Sequence, residues 1–494
     1  MANVVVIGAG VGGLASAALL TAARHQVTVL EAAQGVGGKL GTVARQTSAG
    51  TFRFDTGPSL LTMPDVFAEL FARTGGRLDS VLGLQPLDPI VRYRFADGTN
   101  LTTTRDLDEQ VSRFDYAFGA GSGAGWSALV GRGARIWEAI ERPVIRRPLR
   151  LREVSRGVTH TRELSALAPG RTLRHVGEYY LKDVRHRMLL DRYATYTGSD
   201  PRRAPAALTV IPFLEHAYGA WYVEGGLYRI AQALAQRLTD LGGHIRTGAR
   251  VVRISAPGGR VDGVQLADGS RLLADIVVAN ADAASVYGQL LDPRPRHAPA
   301  ADSLSGFVLL LAVRGRTPGL AHHNVLFGGT NYDAEFNAVF RRPGRPVTDP
   351  VIYISAPDDP AVRPEGHEAW FVLVNAPRHG RDGGRGELDW DSAGLASGYA
   401  DRIMSLLAAR GLPIRERLIF SELITPADLQ RRTGAPGGAI YGGALHGLRD
   451  VFSRPRNKSR IRGLFLVGGS THPGGGLPMV VRSAQITTDL IGPA

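Results

Sequence analysis

The sequence predicts an α/β fold built on a Rossmann-like dinucleotide-binding domain, and three observations predict it. A short β-branched strand runs straight into a G-x-G-x-x-G loop near the start, "NVVVIGAGVGG". A second strand, broken by glycine clusters and followed by an amphipathic segment, closes the chain: "LFLVGGSTHPGGGLPMVVRSAQITTDLI", 464–491. The length of 494 residues is more than one compact core holds, so a second domain is expected.

Val4 to Ile7 reads as a buried parallel strand. Gly8 permits the tight turn, Gly10 lets a pyrophosphate lie against the backbone, and Gly13 lets helix and strand pack closely. Val11 and Gly12 stand between them at the start of a helix whose free N–H groups and positive dipole end suit phosphates. Leu14, Ala17, Ala18 and Ala22 give that helix a face of mostly small residues. Val27 to Leu30 is a second strand, and Glu31, 18 positions after Gly13, is placed to accept both hydroxyls of an adenosine ribose. An acid there disfavours a 2′-phosphate, hence NADP. Strand, glycines, helix, strand and acid in this order point to an adenine dinucleotide; the alternative is a βαβ unit without a ligand.

An NAD domain would continue with another βαβ unit. Here "GVGGKLGTVA" follows, with Gly37, Gly38 and Lys39 in a loop, and then "FRFDTGPSLLTMP", with Asp55, Thr56, Gly57, Pro58 and Ser59 in a turn. Residues 242–282 read as strands with hairpin turns at Gly258–Gly259 and Asp268–Gly269. The last of them, Ile276 to Ala279, returns to the main sheet and stops at Asn280–Asp282. "GFVLLLAV" at 306–313 is a buried strand, and "RHGRDGGRGELDWD" at 378–391 an exposed loop.

The composition excludes several chemistries. Without cysteine there are no disulfides, thiolate nucleophiles, Fe–S clusters or Cys-type zinc sites, and no metal site is expected. Hydrophobic residues at 44% and charged residues at 21% describe an ordinary globular chain. The formal net charge of +13 is mostly arginine, through an arginine-rich composition or through anionic partners. Much of it falls at 142–187, where apolar residues are interleaved, as suits contact in the plane of an anionic membrane. The alternative is a solvated arginine face. No base-reading module is visible, so nucleic acid is not expected. "MANVVVIGAG" has no signal-peptide pattern, and no run is long enough to span a bilayer.

Taken together, the opening fingerprint with "GVGGK" and "DTGPS", the middle stretches "YATYTGSDPRRAPA", "WYVEGGLYRIAQAL" and "ADIVVANAD", and the closing "GLFLVGGSTHPGGGLPMVVRSA" resemble the phytoene desaturase family, within the amine-oxidase-like flavoproteins. The resemblance covers most of the chain and is weakest near 100–175 and 315–430. It implies FAD. Gly8, Gly10, Val11, Gly12, Gly13, Glu31, Ala32, Gly38, Lys39, Gly57, Pro58 and Ser59 would line its front half, with the backbone near Val251 at the adenine and Asn280 beside the glycine loop. Gly468 and Gly469 would lie by the ribityl chain and Gly474 to Gly476 against the isoalloxazine. A helix starting near Pro478, with Met479 and Val480, would aim its N-terminus at the pyrimidine edge. Pro478 suits a first helical turn.

The resemblance also implies a discontinuous, glutathione-reductase-type FAD domain at 1–98, 222–288 and 437–494, with an inserted α+β substrate domain at 99–221 and 289–436. The reaction implied is desaturation of a hydrophobic carotenoid-type polyene, with hydride transfer from an allylic carbon to flavin N5. The closing "GGSTHPGGGLPMV" leans toward hydroxylated, methoxylated or shorter polyenes. With no second nicotinamide fingerprint, quinone or oxygen is the expected electron acceptor. Glu163 falls where the family carries an acid proposed to act on the proton, but Ala166 stands where an arginine is expected. His472, in the flavin loop, is a second candidate base. The expected location is cytoplasmic, peripheral on the cytoplasmic membrane, and no oligomeric state is assigned. Carotene isomerases, retinol-type saturases and amine oxidases of the same fold are alternative enzymes. A prenyl-lipid chaperone of the Rab escort or GDP-dissociation-inhibitor type is the non-enzyme alternative.

Overall fold

Four consecutive β-branched residues, Val4 to Ile7, are all buried in the computed structural model, which describes residues 1–149, 165–292, 295, 299–380 and 388–494. A strand without a polar face has to be covered on both sides, and it lies mid-sheet. The sheet comprises β1 (Asn3–Ile7), β2 (Gln26–Leu30), β3 (His244–Arg246), β4 (Ile276–Ala279) and β5 (Leu464–Leu466), all parallel, in the order β5-β4-β1-β2-β3. Both chain ends therefore contribute to one sheet. Four helices pack around it: α1 (Val11–Ala22), α2 (Pro64–Arg73), α3 (Tyr228–Asp240) and α4 (Leu477–Ile491). α1 touches each of the other three, and its buried alanines at 15, 17 and 18 allow that crowding.

Strands Val251–Ser255, Gly263–Leu266 and Arg271–Leu273 form the expected hairpins, and Leu291–Asp292 adds in parallel to the first. The second large layer is a seven-stranded sheet that includes the strand Ser305–Arg314, buried except at Arg314, which pairs antiparallel with His367–Ala376 and Leu418–Ile424. Phe307, Trp370, Trp390 and Tyr399 fill one core beside this sheet. A further core under helices 107–118, 122–140, 173–180 and 184–195 is built from Phe114, Trp126, Leu189 and Tyr193.

The seam between the two layers differs from the expected boundaries. Strand Arg92–Arg94, within the 1–98 expected for the cofactor domain, pairs with His323–Leu326 of the seven-stranded sheet. The cause is Tyr93 and Phe95, which stack on Phe327 and are buried in that layer's aromatic core. Leu291–Asp292, expected beyond the cofactor domain, stays with the strand at 251–255. Glu163 and part of the basic stretch at 142–187 lie outside the described residues. No helix among the described residues is long and apolar enough to cross a membrane.

Candidate active site

The G-x-G-x-x-G loop connects β1 to α1 because the Gly8 N–H is held by the Leu30 carbonyl at 2.8 Å while Gly8 itself adopts φ +94°, which a side chain would strain. A Cβ on Gly13 would collide with the Gly8 carbonyl oxygen, so the close strand–helix approach expected for Gly13 is present. The Glu31 carboxylate turns back on this loop and accepts from the N–H groups of Ala9 (2.7 Å) and Ala33 (2.8 Å). That fixes its direction and leaves acceptor capacity for a ribose diol. The segment leading to Val251 runs alongside, with the Ala249 N–H on the Glu31 carbonyl. Ala32 lies in the same turn between Glu31 and Ala33.

Asn280 takes a part that the motif does not announce. Its Nδ2 donates to the Gly8 carbonyl at 3.2 Å, and its side chain fills the space that Cβ atoms on Gly10, Gly12 and Gly468 would occupy. Those glycines are thus required by the protein's own packing as well as by any ligand. A Cβ on Gly12 would lie 3.0 Å from Val480 Cγ1 and 3.4 Å from Gly468 Cα. The front and rear loops, 456 positions apart in sequence, are therefore in direct contact.

The two helices that start here, α1 at Gly10 and α4 at Gly476, both lack a side-chain cap. Uncapped N-termini leave N–H donors for an anion or for carbonyl oxygens. Gly476 has φ +97° and open space where its Cβ would be. Pro478 lies in the first turn of α4, with Met479 and Val480 after it. Asp282 Oδ2 and Thr471 Oγ1 are buried nearby without a partner. Glycine cradles, uncapped helix ends and orphaned polar atoms fit a dinucleotide bearing a polar ring.

The Lys39 side chain ties its loop to the segment before Tyr441. Its Nζ donates to the carbonyls of Ile440 (2.5 Å) and Ala439 (3.1 Å) at the rear loop; burial lowers its pKa and Asp282 opposes that shift. Gly57 packs against the Lys39 backbone, Pro58 follows it, and the Ser59 hydroxyl meets the Tyr353 hydroxyl at 2.8 Å. Asp55 accepts from the N–H groups of Leu227 (2.7 Å) and Tyr228 (3.1 Å), and burial raises its pKa to about 6 against those bonds. It is a tie between loops, as a buried acid facing two amides should be.

His472 is buried, and its Nε2 lies 2.8 Å from the Val144 carbonyl and 3.0 Å from that of Arg147. The ring proton is thereby committed to holding the turn Glu141–Ile145 against the rear glycine loop; burial lowers the pKa. The Nε2 bonds anchor the rear loop, and they leave Nδ1 as the ring nitrogen able to accept a proton.

Sequence reasoning missed Arg454, Asn457 and Tyr441. Arg454 is buried and donates to the carbonyls of Gly469 (2.8 Å), Tyr441 (3.3 Å) and Gly443 (3.3 Å); burial lowers its pKa to about 10, opposed by Asp282. Asn457 Nδ2 donates to the His472 carbonyl at 3.0 Å and to Ser483 Oγ at 3.0 Å. Both lie in "RPRNKSR", which by itself reads as a solvated basic run. A cavity of about 780 Å³ opens elsewhere on the seam, lined by Arg53, Glu224, Arg229, Asp358 and Asp359. Its charged walls are wrong for a polyene, and the glycine crevice is the better site on chemical grounds.

Residues 11–368 match the family described as flavin containing amine oxidoreductase. The chain belongs to this family. As a member, it is an oxidoreductase that takes FAD. It is 36% identical over 498 residues to a hydroxyneurosporene desaturase of Cereibacter sphaeroides, covering 99% of this chain and 97% of that protein. It is 29% identical over 500 residues to a 1-hydroxycarotenoid 3,4-desaturase of a Flavobacterium species, covering 99% of both. Among solved structures, cyclohexylamine oxidase from Brevibacterium oxydans superposes with a TM-score of 0.61 at 16% identity, covering 99% of this chain and 98% of that one. That likeness carries the fold, an α/β flavoprotein domain with a substrate domain.

Proposed function

We propose that this flavoprotein is a carotenoid desaturase acting on an acyclic polyene that carries an oxygen near one end. The observation that supports the reading best is the junction of the front and rear loops at Gly12, Gly468 and Val480, next to a substrate layer whose cores are aromatic and aliphatic. The names of the two relatives supply the substrate class. Bound FAD supplies a two-electron acceptor for a hydride leaving an allylic carbon.

Within this reading the chain's residues act as follows. Gly8 to Gly13 and the α1 N-terminus hold the diphosphate, and Glu31 holds the ribose. The uncapped α4 N-terminus, with Lys39 and Arg454 near the rear loop, places positive potential where negative charge develops on reduction. The apolar cores beside the crevice exclude water. His472 and Asn457 keep the rear loop in register. Glu163 stands as the proton acceptor only by resemblance. Quinone or oxygen is the proposed electron acceptor.

The test is incubation of the FAD-loaded protein with a hydroxyl-ended acyclic carotene and a quinone. The expected product is lighter by two hydrogens, with its absorption shifted to longer wavelength. An unchanged polyene with the flavin still bound would overturn the reading.

Peripheral membrane contact belongs to the same proposal. Near the basic stretch, Tyr179 is 80% exposed beside Lys182 and Val184 is also exposed. Arg174 and Arg185 are neutralised by Asp191, Asp333, Asp183 and Asp97, so the attraction rests on the remaining cations. Flotation should show binding to phosphatidylglycerol vesicles that weakens with salt, and little binding to phosphatidylcholine. Equal binding to both would remove the electrostatic part.

A further inference from the structure

Two cations from opposite ends of the chain grip one strip of backbone. Lys39 donates to the carbonyls of Ala439 and Ile440, and Arg454 to those of Tyr441, Gly443 and Gly469. The Gly442 carbonyl between them accepts from the Ser303 N–H at 2.9 Å. Every carbonyl from Ala439 to Gly443 therefore has a donor. Carbonyl dipoles solvate a cation and leave its charge in place. Among the described residues neither cation makes an ion pair with a carboxylate.

Asp282 is the acid that faces this strip. It is 8% exposed, and a Cβ on Gly442 would lie 3.6 Å from its Oδ2. Burial lowers the pKa of each cation, and the charge of Asp282 opposes both shifts. Burial in turn raises the Asp282 pKa, against Lys39 and Arg454. Its Oδ1 accepts from the Ala284 N–H at 3.0 Å and caps the turn Ala283–Ser285, whereas Oδ2 is buried without a partner. Capping does not account for a charge here. Asparagine caps as well as aspartate, and a neutral amide costs less to bury. A carboxylate with a spare oxygen between two cations is accounted for by its field.

These charges stand directly behind the rear loop. The Ala283 N–H, next to Asp282, donates to Ser470 Oγ at 2.9 Å. A Cβ on Gly442 would lie 2.5 Å from Ser470 Cβ. Tyr441 packs on Gly475, where a Cβ would lie 2.5 Å from its Cδ1, and Arg454 holds the Gly469 carbonyl. Asn280, two positions before Asp282, fills the hollow under Gly12 and Gly468. The contacts therefore put Lys39, Asp282 and Arg454 in the shell around residues 468–476, where a charge acts without touching a ligand.

We propose that Asp282 is a positioning residue that sets the reduction potential of the bound flavin by partly cancelling the charge of Lys39 and Arg454. The assignment rests on FAD lying with its redox ring at the rear loop and is independent of which polyene is oxidised. Uptake of a hydride adds one negative charge to the flavin, so positive surroundings raise its potential and negative ones lower it. Two cations and one carboxylate leave the shell positive overall. The carboxylate keeps the flavin a weaker oxidant than the cations alone would make it, which eases the passage of its electrons to the next acceptor.

The experiment is a spectroscopic redox titration of the FAD-loaded protein, without polyene and at one fixed pH. Asp282→Asn keeps the cap and should raise the potential. The ratio of affinities for reduced and oxidised FAD should change by at least about tenfold, or about 30 mV for a two-electron couple. Lys39→Gln, which keeps a donor for the carbonyls, should lower the potential. Adding Asp282→Asn to Lys39→Gln should raise it again. If Asp282→Asn alone does not hold FAD, that last comparison decides, because the double variant keeps the net charge of the unchanged protein. An unmoved potential on loss of the carboxylate, or a fall in both single variants, would overturn the assignment. A lower melting temperature with the potential unchanged would make Asp282 a cap and nothing more. If the unchanged protein binds no FAD, the flavin site fails and this assignment fails with it. Potentials that move as stated in a protein that desaturates no carotene would uphold the assignment and overturn the polyene reading alone.

Discussion

Asn280 and Glu215 show how single side chains in this protein are governed by what surrounds them. Asn280 fills the hollow left by the glycines of both loops. Gly12→Ala would put a Cβ 2.7 Å from Asn280 Oδ1, forcing the amide away from Gly8. Loss of one buried hydrogen bond and the displaced loop should weaken FAD binding by about tenfold, read by flavin fluorescence titration. Glu215 is buried in the substrate layer and accepts from the Tyr193 hydroxyl at 2.9 Å. Burial raises its pKa to about 7, against the Tyr193 bond and the charge of Arg192. The folded protein therefore favours the neutral acid. Its contribution to stability is complete below about pH 4.5, the ordinary glutamate value, and is lost as pH rises through about 7. Glu215→Gln mimics the neutral form, so its melting temperature should gain on the unchanged protein as pH goes from 4.5 to 7.5. A constant difference across that range would contradict the raised value.

At the scale of elements, one side-chain amide bridges the rear loop and α4. Asn457 Nδ2 reaches the His472 carbonyl within the loop and the Ser483 side chain within α4, beside the direct bond from the Gly468 N–H to Ser483 Oγ at 3.3 Å. Asn457→Ala leaves these acceptors unsatisfied, and a cost of about 2 kcal/mol is expected in chemical denaturation. The strand Ser305–Arg314 offers a contrast. Phe307 has no exposed surface and packs on Trp390 and Tyr399, at centroid distances of 5.3 and 5.0 Å. Phe307→Ala should cost about 3–5 kcal/mol through the cavity it leaves, with the flavin spectrum of the surviving folded protein unaltered. The helix and strand identities around both sites were legible from periodicity. The seam was not, because Tyr93 and Phe95 choose their sheet by stacking on Phe327, more than 200 positions away in sequence.

For the whole molecule, the governing fact is that β5 completes the same sheet that β1 begins. Removing residues 464–494 would expose the edge of β4 and the face of α1 that packs on α4. The shortened chain should fail to retain FAD and should lose the cooperative melting transition. The substrate layer is also tied in from the cofactor side, through Ser59 to Tyr353 and through His472 to the turn at 141–145. Loss of the rear segment is therefore expected to disorder both layers together, visible as one transition lost in calorimetry. Retention of a discrete substrate-domain transition would show that the layers fold independently.

The front fingerprint, the two glycine loops, the acid at Glu31 and the helix starting near Pro478 were all readable from the sequence. Each depends on backbone sterics or on a strand–turn–helix order within about twenty residues, and such local rules leave local marks. The tertiary structure alone decided that Asn280 fills the glycine hollow, that Lys39 reaches the carbonyls at 439–440, and that His472 donates to the 141–147 turn. It also brought Tyr441 and Arg454 against the rear loop. These groups come from segments far apart in sequence, and their charges and hydrogen bonds acquire meaning only once burial removes water from around them. A pattern in one stretch of chain cannot record which distant carbonyl, ring or cation will share its pocket.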